Sequence, residues 1–231
     1  MLETIQGTPS CGRSELAEYF VQASDSYRFL GDVYVHELTE AQIDALAESD
    51  LSCPDDGSAL SKAFLKLRSY LNRRGCNARQ DLAVDYARIF LAAGVYEGKT
   101  AVPYESVYTS EEGILMQDAR DDSVRIYREN GMAVDPGLNV PEDHLGFQLE
   151  FVSTMCGRIA ESLAEEDEEK ASSRMECLEG FVRCHLLNWV PMLQERVDRY
   201  AELAFYPAIV RITVACLEDT LRVLEETREA A

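Results

Sequence analysis

Apolar residues recur at steps of three and four along almost the whole chain, and this periodicity restricts it to packed amphipathic helices. Leu16, Phe20, Ala23, Tyr27, Leu30 and Tyr34 form one stripe. Leu60, Phe64, Leu67 and Leu71 form the next, and Leu82, Tyr86, Ile89 and Phe90 a third. The longest runs Leu145, Leu149, Val152, Cys156, Ile159 and Leu163. Two more follow, Met175–Leu178–Val182–His185–Trp189 and the Ile209-to-Leu224 set. No segment alternates as a strand would, and no internal repeat is visible.

Punctuation between the stripes fits the same reading. Thr39-Glu-Ala-Gln42 has the spacing of a capping box. Asp50 to Gly57 is a loop by composition, Gly75 ends the second stripe, and Asn77 can cap the third. Gly94 stops that helix. A short helix near 122–130 stops at Asn130-Gly131, and Met132 to Val140, with Pro136 and Gly137, is a second loop. Pro141 suits the first position of the long helix, with Glu142 and Asp143 in its first turn. Glu165 to Glu169 reads as a solvated turn, Pro191 interrupts the chain, and Pro207 opens the last helix. The expectation is an all-α fold: a flexible N-terminus over 1–12, then one domain of roughly nine to ten helices over 13–229.

Charge narrows the function. Forty-two acidic against 22 basic residues give a net charge of −20. Phosphate contacts need basic patches, so nucleic acid is not an expected partner, and anionic lipid is disfavoured for the same reason. A cationic partner suits such a chain. The N-terminus lacks the pattern of a secretory signal, and the longest apolar run, Ile89 to Tyr96, falls far short of the ~20 residues of a membrane span. The protein is expected to be soluble and cytoplasmic, without membrane insertion. Its seven cysteines are odd in number and include no CxxC pair. They read as reduced; Cys156, Cys177, Cys184 and Cys216 lie in helical patterns as small core residues.

Common catalytic signatures are missing. There is no phosphate-binding GxxxxGK[ST] or GxGxxG loop, no HExxH, and no Glu-x-x-His pair. Ser106 lacks a nucleophile elbow. Of the three histidines, His185 lies on an apolar stripe and His36 ends the first helix, where a cation favours the dipole. Asp143-His144 remains: a capped helix start with a satisfied histidine, or an acid–base pair. No metal, cofactor or catalytic residue is assigned.

The mid-chain segments, taken in order, resemble a known family. They are Asp85-Tyr-Ala-Arg-Ile-Phe90-Leu91, Val102-Pro103-Tyr104-Glu105-Ser106-Val107-Tyr108, Tyr127 with Gly131, and Val140-Pro141-Glu142-Asp143-His144-Leu145 running on to Leu149-Glu150-Phe151. His185-Leu186, Trp189-Val190-Pro191 and Phe205-Tyr206 complete the set. The chain resembles the TorD/DmsD family of molybdoenzyme maturation chaperones over about residues 14 to 225.

The resemblance implies an all-α cytoplasmic chaperone and not an enzyme. It would bind the twin-arginine signal peptide of a molybdopterin oxidoreductase subunit and hold the precursor back from the Tat translocase until its cofactor is loaded. Two positions depart from the family pattern. Val140 stands where an acidic residue opens the Glu-Pro-x-Asp-His hallmark, and Gln148 stands where a second Glu is frequent. Carboxylates and an apolar groove are what such a peptide needs, because guanidinium–carboxylate pairs can be bidentate and an apolar segment lays its side chains in a groove. Glu105 and Asp143 are the candidate charges. Tyr86, Phe90, Tyr104, Tyr108 and Leu145 are the candidate wall, with Pro103, Ser106, Pro141 and His144 between them. Two other readings stand beside this one: a nitrate-reductase-type assembly chaperone for a non-exported subunit, and a small hydrolase using Asp143 and His144. Loops such as 132–140 permit domain swapping into a homodimer.

Overall fold

A computed structural model describes residues 12–51, 56–91 and 100–230. The expected flexible N-terminus up to residue 11, Cys11, Cys53, Gly94 and Gly98 lie outside the described residues. Ten α-helices occur among the described residues: α1 (Arg13–Val35), α2 (Glu40–Glu48), α3 (Ala59–Asn72), α4 (Ala78–Phe90), α5 (Glu105–Thr109), α6 (Asp118–Glu129), α7 (Leu145–Ala164), α8 (Glu168–His185), α9 (Val190–Tyr200) and α10 (Phe205–Ala230). A single 3-10 turn, Pro136–Leu138, interrupts the loop before α7. The all-α expectation holds, and the predicted stripes face one continuous core running from Tyr19 to Leu224.

Helices α1 and α7 form the central pair, with α8 against α7 and with α3, α8 and α9 against α10. The close crossing of α1 and α7 rests on two glycines. A β-carbon on Gly146 would stand 2.3 Å from Val35 Cγ2 and 2.9 Å from the Gly31 carbonyl oxygen. Gly146→Ala is therefore expected to push the helices apart and cost about 1–3 kcal/mol, the usual penalty of overpacking. A urea midpoint unchanged from wild type would contradict this.

Helix α1 also meets α10 through a ladder of buried hydroxyls. Tyr27 and Tyr34 bond Thr220 (2.8 Å) and Thr213 (2.9 Å), and Tyr19 reaches Thr220 (3.1 Å) and Asp219 (3.0 Å). Asp85 of α4 is buried and accepts the backbone N–H groups of Glu202 and Leu203 (3.0 and 3.1 Å), which ties α4 to the link between α9 and α10.

Several boundaries differ from the sequence reading. The Thr39–Gln42 capping box is present. Asn77 precedes α4, but its side chain makes no capping bond. Helix α6 begins four residues earlier than the 122–130 estimate, at Asp118, and ends at Glu129, capped by Asn130 and followed by Gly131 with φ +67°. The long helix begins at Leu145 rather than Pro141, because residues 143–145 are drawn into pairing with 103–105 and only then can the chain coil. The last helix opens at Phe205, two residues before Pro207. Residues 105–109, which carry no apolar stripe of their own, form the short α5. Cys156 and Cys216 are buried as expected, Cys177 is half-buried, and Cys184 is exposed on α8.

Candidate functional site

The two mid-chain segments singled out by their motifs meet. Tyr104 and His144 form an isolated antiparallel bridge. The Glu105 N–H donates to the Asp143 carbonyl (3.1 Å), and the Leu145 N–H donates to the Pro103 carbonyl (2.8 Å). This short pairing brings the start of α5 against the start of α7.

Side chains lock the junction. Asp143 Oδ2 accepts from the Ser106 N–H (2.9 Å) and from the Ser106 hydroxyl (2.6 Å). Ser106 Oγ in turn accepts the Gln117 N–H (3.2 Å), which fastens the connection between α5 and α6. The Glu105 carboxylate accepts from Gln148 Nε2 (2.5 Å) and Asn188 Nδ2 (3.3 Å), and faces His185 Nδ1 at 3.2 Å. Glu142 takes a bidentate grip from Arg120 (2.7 and 3.0 Å), and its carbonyl accepts from the Tyr127 hydroxyl (3.1 Å). Helices α5, α6, α7 and α8 are thus joined through one cluster of polar side chains.

His144 caps α7, its Nδ1 accepting the Gly146 N–H (3.1 Å). That bond places the proton of the neutral ring on Nε2. The ring is buried, with Tyr104 edge-on at 4.9 Å and Phe147 at 5.6 Å. Burial pushes its pKa down from 6.5 to about 4, so it is neutral at pH 7. An acid–base pair with Asp143 is not formed. Asp143 is held by Ser106 and His144 by Gly146, and neither bonds the other. Among the described residues no group of three His, Cys, Asp or Glu side chains is placed to hold a metal ion.

The predicted site residues divide by burial. Tyr86, Phe90 and Leu145 are core; Tyr86 donates its hydroxyl to the Tyr34 carbonyl (2.9 Å) and packs edge-on against Phe90. Pro103, Glu105, Ser106, Asp143 and His144 are also buried. Where the sequence reading expects open carboxylates, Glu105 is 2% exposed and Asp143 0%, and both are bonded to internal donors. Tyr104, Tyr108 and Pro141 reach the surface in part. Tyr108 lies between Trp189 (5.2 Å) and the Arg196 guanidinium (4.5 Å). Gln148, Asn188 and Arg120 belong to the cluster but carry no local motif. Only the three-residue spacing of His185 and Asn188 hints that they could share a partner.

Sequence comparison gives the class of protein to which this fold and junction belong. The family model described as "Nitrate reductase delta subunit" matches residues 53–195, and the chain belongs to that family. Curated relatives bear out the TorD-like resemblance. A protein named "Chaperone protein TorD" from Vibrio cholerae serotype O1 (strain ATCC 39315 / El Tor Inaba N16961) is 29% identical over 209 residues, covering 88% of this chain and 92% of that relative. Its namesake from Vibrio parahaemolyticus serotype O3:K6 is 26% identical over 219 residues, with 92% and 99% covered. One from Photobacterium profundum is 27% identical over 220 residues, again with 92% and 99% covered.

Proposed function

We propose that this protein is a redox-enzyme maturation chaperone, not an enzyme. It works in the cytoplasm, binds the twin-arginine signal peptide of a molybdopterin oxidoreductase catalytic subunit, and assists cofactor insertion before Tat export. The observation that carries this reading is the near end-to-end alignment with relatives named as chaperones. The acidic surface supports it, since a net charge of −20 speeds encounter with a basic peptide. No helix among the described residues is long and apolar enough to cross a membrane.

The peptide docks around the junction of 103–108 with 141–147. Tyr104, Tyr108 and Pro141 offer surface there. Glu105, Ser106, Asp143 and His144 hold that surface in shape, and Tyr86, Phe90 and Leu145 support it from the core. The test is calorimetric titration of the full chain with a panel of twin-arginine signal peptides from molybdoenzyme subunits and their Lys-Lys counterparts. Binding of at least one peptide, about tenfold weaker for its Lys-Lys form and weakened by salt, is expected. Absence of binding across the panel would overturn the reading.

The family model's description favours one second reading: an assembly factor for a nitrate-reductase-type subunit that carries no exported leader. In that case the chain would co-purify with its client while ignoring every leader peptide.

A further inference from the structure

Glu105 and Asp143 are closed to solvent and bonded to donors of their own chain, so a guanidinium has to find carboxylates elsewhere. The surface beside the junction supplies them. Two depressions adjoin at Leu138 and the start of α7: one of about 670 Å³ against the C-terminal half of α1, and one of about 470 Å³ against the end of α6 and the 131–135 loop. Leu138, Phe147 and Glu150 line both, and Leu138 is 46% exposed where the two meet. Phe147 packs against His144, which packs against Tyr104, so the groove lies beside the junction.

The two halves differ in chemistry. The larger is edged by Asp25, Asp32 and Glu150, with Arg28 and His36 as the cationic or titratable groups facing it. Three carboxylates oppose one guanidinium. Arg28 stands 3.6 Å from Asp25 in a solvent-exposed pair. Asp32 Oδ2 accepts Gln42 Nε2 (3.2 Å), and its Oδ1 lies 3.9 Å from His36 Nε2. Glu150 has no partner among the described residues. The smaller half is walled by Tyr127, Met132, Ala133, Val134 and Phe151, with Asp135 at its edge holding the Gly137 N–H.

We propose that this groove is the leader-peptide subsite: the half edged by Asp32 and Glu150 takes the paired arginines, and the half beyond Leu138 takes the apolar run that follows them. The inference rests on the chaperone reading and names the side chains that read the peptide. Adjacent cationic and apolar stretches of a single ligand find adjacent acidic and apolar halves of a single groove. Asp32 and Glu150 can each receive one guanidinium, which is what separates arginine from lysine there. Because both are exposed, neutralising them leaves the core intact.

The test uses the tightest-binding peptide of the panel and its Lys-Lys form, titrated into Asp32→Asn/Glu150→Gln, Leu138→Asp and the control Glu195→Gln. Glu195 is an exposed carboxylate on α9 that lines neither depression. The double variant should bind the arginine peptide about 10- to 100-fold more weakly and lose most of its preference for arginine over lysine. Leu138→Asp should weaken both peptides alike, and Glu195→Gln neither. An arginine preference that survives in the double variant, with affinity within about twofold of wild type, would overturn the subsite and leave the chaperone reading standing. Failure of the wild-type chain to bind any peptide would remove both.

Discussion

Glu105→Ala should lower the free energy of unfolding by about 2–5 kcal/mol, from hydrogen bonds to a buried carboxylate that are lost and a buried donor left unpaired. The carboxylate is the single acceptor on which Gln148, His185 and Asn188 converge. Asn188 is exposed and can turn to water, but Gln148 is fully buried. Its amide would be left without an acceptor, at a cost of about 1–3 kcal/mol before the cavity is counted. Glu105→Gln keeps the volume and one acceptor oxygen, so it should fall between alanine and wild type. Urea unfolding of the three proteins checks the order. A wild-type midpoint for Glu105→Ala would mean that the cluster contributes nothing to stability.

Acid should weaken the fold through His144. Its pKa is about 4 in the folded chain against 6.5 when unfolded. Between these values the unfolded chain binds a proton that the folded chain excludes, so stability falls as pH drops from about 6.5 to 4 and levels off below. The contribution at the lower end is about 3 kcal/mol, from roughly 1.4 kcal/mol per pKa unit. Protonation would also cost the capping bond, because an imidazolium has no acceptor for the Gly146 N–H. His144→Asn keeps a side-chain acceptor at the helix start and carries no titrating group. Between pH 7 and pH 4.5, wild type should lose about 2 kcal/mol more than this variant, the carboxylate contribution being common to both. Equal losses would show that His144 is not the group responsible.

The helices were legible because each stripe is local: residues three and four apart show their shared face without knowledge of the partner. The Thr39 capping box is equally local. The junction was legible only as two segments with motifs, and their roles were not. Asp143 reads as an exposed charge at a helix start because nothing nearby reveals that Ser106, 37 residues earlier, will bond it. The start of α7 was misplaced for the same reason, since a bridge to Tyr104 holds His144 in extended backbone. The groove was not legible at all. It depends on Gly31 and Gly146 letting two helices approach, and an isolated glycine in a helical pattern does not announce what it faces.

The tyrosine ladder between α1 and α10 bears on how the protein is made. Tyr27 and Thr220 are 193 residues apart, so the tyrosines of the first helix find their hydroxyl partners only when α10 packs against it. Pairings so remote in sequence close late and slow the search for the native state. Helix α1 can pair with α7 before then, but its tyrosine hydroxyls stay without these partners until α10 docks. The α1–α7 crossing can thus form first, and the arrival of α10 seals the core behind it.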